Sequence, residues 1–194
     1  IVLGDEDEDR HPAIALGSNA KVTLKLAGNN YLVGGDHKAC INVPGGAKLT
    51  ITSYAGDGKT NGSLWAVANP NYIVNGRGDV GCGPAAIGAN GMMGYTSDST
   101  LGEIVINGGT IRATGATGGA GIGGAGFSRT GSITINCGHI SAGVDSTSVY
   151  ASGAAIGGGA DGDGPNIIIN GGFVEASDPY NAASIGGGYN GENF

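Results

Sequence analysis

Three stretches of this chain can be laid over one another residue by residue, and that repeat constrains the fold more than any other feature. They are residues 104–113 (IVINGGTIRA), 133–142 (ITINCGHISA) and 167–176 (IIINGGFVEA). Each is followed by an Ala-x-Ile-Gly unit, at residues 120–123, 154–157 and 183–186, and the unit also stands at 85–88. Weaker forms are Ala39-Cys40-Ile41 and Pro12-Ala13-Ile14. The isoleucines at 14, 41, 87, 122, 156 and 185 are separated by 27, 46, 35, 34 and 29 residues. A fixed unit with insertions of variable length between copies is the pattern of a solenoid.

Within each unit the apolar residues alternate with period two, which predicts strands rather than helices. Each turn of the chain offers three: Ala-x-Ile, Ile-x-Ile-Asn and Ile/Val-x-Ala. The expected fold is all-β, a right-handed parallel β-helix with three faces and about six rungs. Residues 1–194 form one domain, expected to be a piece of a larger protein, with a long inter-rung insertion at 53–83. Ile87, Ile122, Ile156 and Ile185 should stack in one buried column, and Ile106, Ile135 and Ile169 in another. Asn107, Asn136 and Asn170 end the second strand at one corner, where their amides can hydrogen-bond from copy to copy. Gly109, Gly138 and Gly172 follow and supply the positive φ that the corner needs; Cys137 replaces the preceding glycine in its copy. In the looser early copies, Val22, Leu24 and Leu26, then Leu49 and Ile51, fit the second strand. Leu32, and then Leu64 with Ala66, fit the third.

Composition agrees with a turn-rich scaffold. Glycine supplies 42 residues while aromatics are 6% and charged residues 13% of the chain, without the Gly-X-Y period of collagen. The net charge of −7 argues against electrostatic binding of nucleic acid or anionic lipid, and no apolar run is long enough to span a bilayer. Three cysteines are too few for a disulfide scaffold. Cys40, expected to face outward, is a candidate to reach Cys82, with Cys137 unpaired.

The Ala-x-Ile-Gly-Gly-Gly and Gly-x-Ile-x-Ile-Asn-Gly-Gly-x-Ile-x-Ala patterns resemble the glycine-rich β-helix modules of large secreted or wall-attached proteins of anaerobic, Gram-positive gut and cellulolytic bacteria. The resemblance covers nearly the whole chain. It implies an extracellular or cell-surface location, neighbouring domains in the same polypeptide, and a polysaccharide or host or plant glycan as partner. Such modules are often labelled carbohydrate-binding, and one relative binds polygalacturonate with calcium.

Parity then assigns the outward residues. The third-strand face should carry Tyr31 and Val33, Ser63 and Trp65, Thr110 and Arg112, His139 and Ser141, Phe173 and Glu175. Aromatic rings stack on sugar C–H groups, and fixed polar side chains hold hydroxyls. The expected ligand contacts are therefore Trp65, Arg112 and, in the long insertion, Tyr72. The competing reading is a covered face, with a loop packed over Trp65 and Phe173 and Arg112 stacked on the indole. The second-strand face should show Thr23, Thr50, Val105, Thr134 and Ile168, a plain β-surface. The first-strand face should be smooth, with Ala13, Cys40, Ala86, Gly121, Ala155 and Ser184 outward.

Asp161 and Asp163 are a candidate calcium pair, since two carboxylates at i and i+2 can share a hard cation; a turn built on Asp-Gly is the stronger reading. The acidic run at residues 5–9 reads as a solvated terminus, and Arg77-Gly78-Asp79 as a turn. Little points to catalysis. Glu103 and Glu175 fall on different faces, His11, His37 and His139 are scattered, and Asp36-His37 reads as a turn. The expectation is a non-catalytic carbohydrate-binding or adhesin module. The alternatives are a rigid spacer and a fragment of a polysaccharide lyase or glycosidase.

Overall fold

The computed structural model describes residues 11–54, 62–69, 83–91, 99–129, 131–145, 152–177 and 180–191. The acidic run at 5–9, Tyr72, residues 77–79 and Cys82 lie outside them. Among the described residues there is no helix, and so none long and apolar enough to cross a membrane.

Short strands of two residues come from the Ala-x-Ile-Gly units: β1 (Ile14–Ala15), β4 (Ile41–Asn42), β7 (Ile87–Gly88), β9 (Ile122–Gly123), β11 (Ile156–Gly157) and β14 (Ile185–Gly186). They form one sheet in the order β1-β4-β7-β9-β11-β14. The second strand of each repeat is β2 (Lys21–Leu26) and β5 (Lys48–Ser53), and the third is β3 (Asn29–Val33) and β6 (Ser63–Val67). In β8 (Glu103–Ala116) and β10 (Ser132–Asp145) the two run together through the corner, and they part again as β12 (Asn166–Ile169) and β13 (Phe173–Ala176). A second sheet has the order β12-β10-β8-β5-β2, with β13 on β10 and β6 between β3 and β8. Every pairing between these strands is parallel. An all-β chain whose neighbouring strands are one repeat apart in sequence fits a β-solenoid.

The six isoleucines are in register: Ile14, Ile41, Ile87, Ile122, Ile156 and Ile185 are successive partners. So are Val22, Leu49, Ile104, Ile133 and Ile167, and Leu24, Ile51, Ile106, Ile135 and Ile169. From Ile41 to Ile156 the first column is fully buried, and these residues share one apolar core with Leu49, Ile51, Ile111 and Ile140. Columns end on the last repeat with exposed members: Ile169 is 43% and Ile185 42% exposed. The expected burial therefore fails for those two, which have a neighbouring repeat on one side only.

The glycines after Ile87, Ile122 and Ile156 are fixed by close approach. Gly88, Gly123 and Gly157 have φ of 145°, 137° and 147°. A Cβ on each would lie 1.9, 2.0 and 1.9 Å from the carbonyl oxygen of the next glycine in the column. Only glycine fits there.

The first-strand face corrects the expectation. Cys40, Ala86, Gly121 and Ala155 are buried, and Cys40, Ala86 and Ala155 belong to the core. Parity assumes an extended strand, but the Ala-x-Ile-Gly units curl on themselves. Ala85 N–H donates to Ala89 O at 3.1 Å, Ala120 N–H to Gly124 O at 2.8 Å, and Ala154 N–H to Gly158 O at 2.8 Å. Two consecutive residues then point inward. A Cβ on Gly121 would meet the backbone oxygens of Gly143 and Ala113, so this column packs against the chain's own third strands. Cys40 is a free, buried thiol rather than an outward one, and Cys137 is free and exposed.

The 53–83 stretch contains a strand. Ser63–Val67 is a full strand paired on both sides, flanked by segments outside the described residues.

Candidate functional site

Parallel pairing brings the outward residues of the third strands into two columns. One runs Tyr31, Trp65, Arg112, Ser141, Glu175; the other runs Asn29, Ser63, Thr110, His139, Phe173. The sequence reading had the later rows right and the first displaced by two residues, placing Tyr31 and Val33 where Asn29 and Tyr31 stand. Asn30 explains the slip. It occupies an inward position beside Leu64, which a hydrophobic pattern does not reveal. Its Nδ2 donates to Ala27 O at 3.2 Å and Ser63 O at 2.9 Å, which satisfies the amide.

Trp65 sits between the other two large groups of its column. The Tyr31 ring meets it edge-on with centroids 4.9 Å apart at 65°. On the opposite side, the Arg112 guanidinium carbon lies 4.9 Å from the indole centroid. Arg112 thus stacks on Trp65, and Trp65 remains 44% and Tyr31 38% exposed. With Tyr31 and Arg112 flanking the ring, what the indole shows to solvent is its outer rim. Arg112 is exposed and has no carboxylate partner among the described residues. Stacking restrains a long side chain whose N–H donors remain available.

The second aromatic cluster lies two repeats further on. His139 and Phe173 are edge-on with centroids 4.8 Å apart at 68°, and His139 Nε2 lies 3.4 Å from Glu175 Oε2. Phe173 is 57% exposed. The sequence reading sent these residues outward without naming them as site residues. The signal was the adjacency of three outward positions on two neighbouring strands.

Other sequence candidates fall elsewhere. Asp161 has φ 53° in the turn after β11, and its Oδ1 accepts from Asn190 Nδ2 of the next repeat at 3.2 Å. Among the described residues no third His, Cys, Asp or Glu side chain joins Asp161 and Asp163. His37 likewise has φ 55° and sits 3.7 Å from Asp36, as a turn residue does. Glu103 pairs with Lys48 at 2.7 Å on the second-strand face, beside an open groove of 530 Å³ lined by Lys21, Leu101 and Ser132. It is not near Glu175. The Asn corner is realised as expected: Asn136 Nδ2 donates to Asn107 Oδ1 and Asn170 Nδ2 to Asn136 Oδ1, both at 2.7 Å.

No family model matches the sequence, and neither a curated protein nor a solved structure matches it.

Proposed function

We propose that the chain is a right-handed, three-faced β-helix of about six rungs that acts as a non-catalytic carbohydrate-binding module outside a bacterial cell. The observation that carries this reading is the exposed Arg112, without a carboxylate partner among the described residues, held against Trp65 on a face that includes Tyr31. On an acidic chain, a restrained guanidinium with free donors suits a sugar carboxylate or a pair of hydroxyls. Charge-assisted hydrogen bonds of that type are the strong ones. The indole rim and Tyr31 supply apolar contact for sugar C–H groups. Tyr72 stays part of the proposed contact set from its place in the sequence. The motif resemblance points the same way. Calcium is assigned no step in this reading.

Affinity electrophoresis on polygalacturonate and on neutral polysaccharides tests the reading, with wild type, Trp65→Ala and Arg112→Ala. Retardation of the wild type by a uronate polymer, reduced in both variants, is the expected outcome. Equal retardation of all three proteins moves the site elsewhere.

A rigid spacer is the second reading. It is favoured by the exposed apolar residues on the last repeat, Ile168, Ile169, Phe173 and Ile185, which suit packing against a neighbouring domain. Absence of retardation of the wild type on every polysaccharide selects it.

A further inference from the structure

We propose that the third-strand face reads a charge pattern along a glycan laid parallel to the stacking direction. It places a uronate at Arg112 and requires an uncharged sugar at Glu175 and Phe173. This rests on the glycan-binding reading and adds the ligand's class and register to it.

The argument starts from spacing. Trp65, Arg112, Ser141 and Glu175 occupy one column on four successive strands. Neighbouring strands are about 4.8 Å apart, so Arg112 and Glu175 stand about 10 Å apart along the face. A pyranose unit in an extended chain advances by about one such spacing. A glycan lying along the column therefore meets one side chain per sugar, with Arg112 and Glu175 two sugars apart.

Chemistry then separates the two ends. Arg112 is a cation without a carboxylate partner among the described residues, and the hydroxyls of Thr110 and Ser141 flank it on its own and the next strand. A sugar carboxylate there gains charge-assisted hydrogen bonds. Glu175 is an exposed carboxylate (57%) whose ion-pair contact among the described residues is with His139 Nε2 at 3.4 Å. A second uronate at this position would bring two like charges together. A neutral sugar instead donates its hydroxyls to Glu175 and packs its C–H face on Phe173, two residues earlier on the same strand. A uniformly charged polyuronate satisfies one end and is repelled at the other. A uniformly neutral glycan leaves Arg112 without an anion. The favoured ligand is a block of mixed charge.

Isothermal titration calorimetry with polygalacturonate fragments of equal length tests this, using fully de-esterified, about half methyl-esterified and fully esterified preparations. Wild type should bind the half-esterified chain tightest. One like-charge contact of about 4 Å in water corresponds to about fivefold in affinity, the expected deficit of the de-esterified chain. Glu175→Gln should remove that deficit, while Asp161→Asn, which changes net charge equally in the turn after β11, should leave it. Arg112→Gln should abolish the advantage over the fully esterified chain. Phe173→Ala should weaken all three. Thermal melts of each variant establish that it is folded. If wild type binds the de-esterified chain at least as tightly as the half-esterified one and Glu175→Gln changes nothing, the charge register is overturned while glycan binding stands. Failure of wild type to bind any of the three overturns both.

Discussion

Ile122→Ala and Ile185→Ala form a paired perturbation, because both residues lie in one column and differ mainly in burial. Ile122 is fully buried, while Ile185 is 42% exposed. Ile122 stacks between Ile87 and Ile156. The backbone around it is pinned by Ile122 N–H to Ala155 O at 3.0 Å and Ile87 N–H to Gly121 O at 3.1 Å. Walls held this way collapse little, so the cavity persists and the cost lies in the upper part of the known range, about 3–5 kcal/mol. Ile185 leaves no closed cavity and has lost only part of its surface from water, giving about 1 kcal/mol. Urea unfolding followed by far-UV circular dichroism reads the difference as a shift in midpoint at similar slope. Equal losses for the two variants, or a loss below about 1 kcal/mol for Ile122→Ala, would refute the stacked-column account of the core.

Gly123→Ala places a methyl 2.0 Å from Gly157 O at φ 137° and should cost about 3 kcal/mol or more, whereas Gly28→Ala, with nothing within 4 Å at φ 61°, should cost about 1–2 kcal/mol from backbone strain alone; thermal melts compare them. Asn136→Ala removes both 2.7 Å ladder bonds and should cost about 1–2 kcal/mol, while Asn136→Asp should cost more by setting two oxygens face to face at Asn107. Burial pushes the Cys40 thiol up to about 12, so the folded state holds its proton where the unfolded chain has released it. Its contribution to stability is complete below about pH 9 and is lost as pH rises toward 12. Cys40→Ala, which installs the residue found at 86 and 155 in the same column, should flatten that part of the stability profile relative to wild type. In native protein at pH 8, a thiol reagent should modify exposed Cys137 and spare Cys40.

The parts of the fold legible in the sequence are those that recur. An isoleucine at the same place in successive units has to face the same neighbours, so the register of β7, β9, β11 and β14 follows from laying the units over one another. The Asn ladder follows too, because an amide has both a donor and an acceptor and can bridge identical copies of itself. The positive φ of Gly109, Gly138 and Gly172 was readable because Cys137 had already excluded the other glycine in its copy. Where a local rule was extended past its conditions, the reading failed. Period-two parity holds for the extended third strands and placed Trp65, Arg112, His139 and Glu175 correctly. It does not hold in the curled Ala-x-Ile-Gly units, nor at Cys40, where the preceding Ala39 N–H donates to Asn90 Oδ1 at 2.9 Å.

The third-strand face resists reading for a different physical cause. A core column is constrained repeatedly by the same requirement, so one unit corrects the interpretation of the next. The outward column Tyr31, Trp65, Arg112, Ser141, Glu175 holds five different residue types, and no unit predicts its neighbour. Solvent imposes no such repetition, so variation on this face is permitted by the scaffold. The second-strand face shows how a less specialised surface looks, with Thr23, Thr50, Val105 and Thr134 in sequence. Against that baseline, an aromatic pair, a stacked guanidinium without a carboxylate partner among the described residues and an exposed carboxylate stand in one file without adding to the core. A ligand that spans several strands gives a reason for such a file. The order of side chains along the stack, on which the proposed recognition depends, becomes visible only once the register of β3 is corrected.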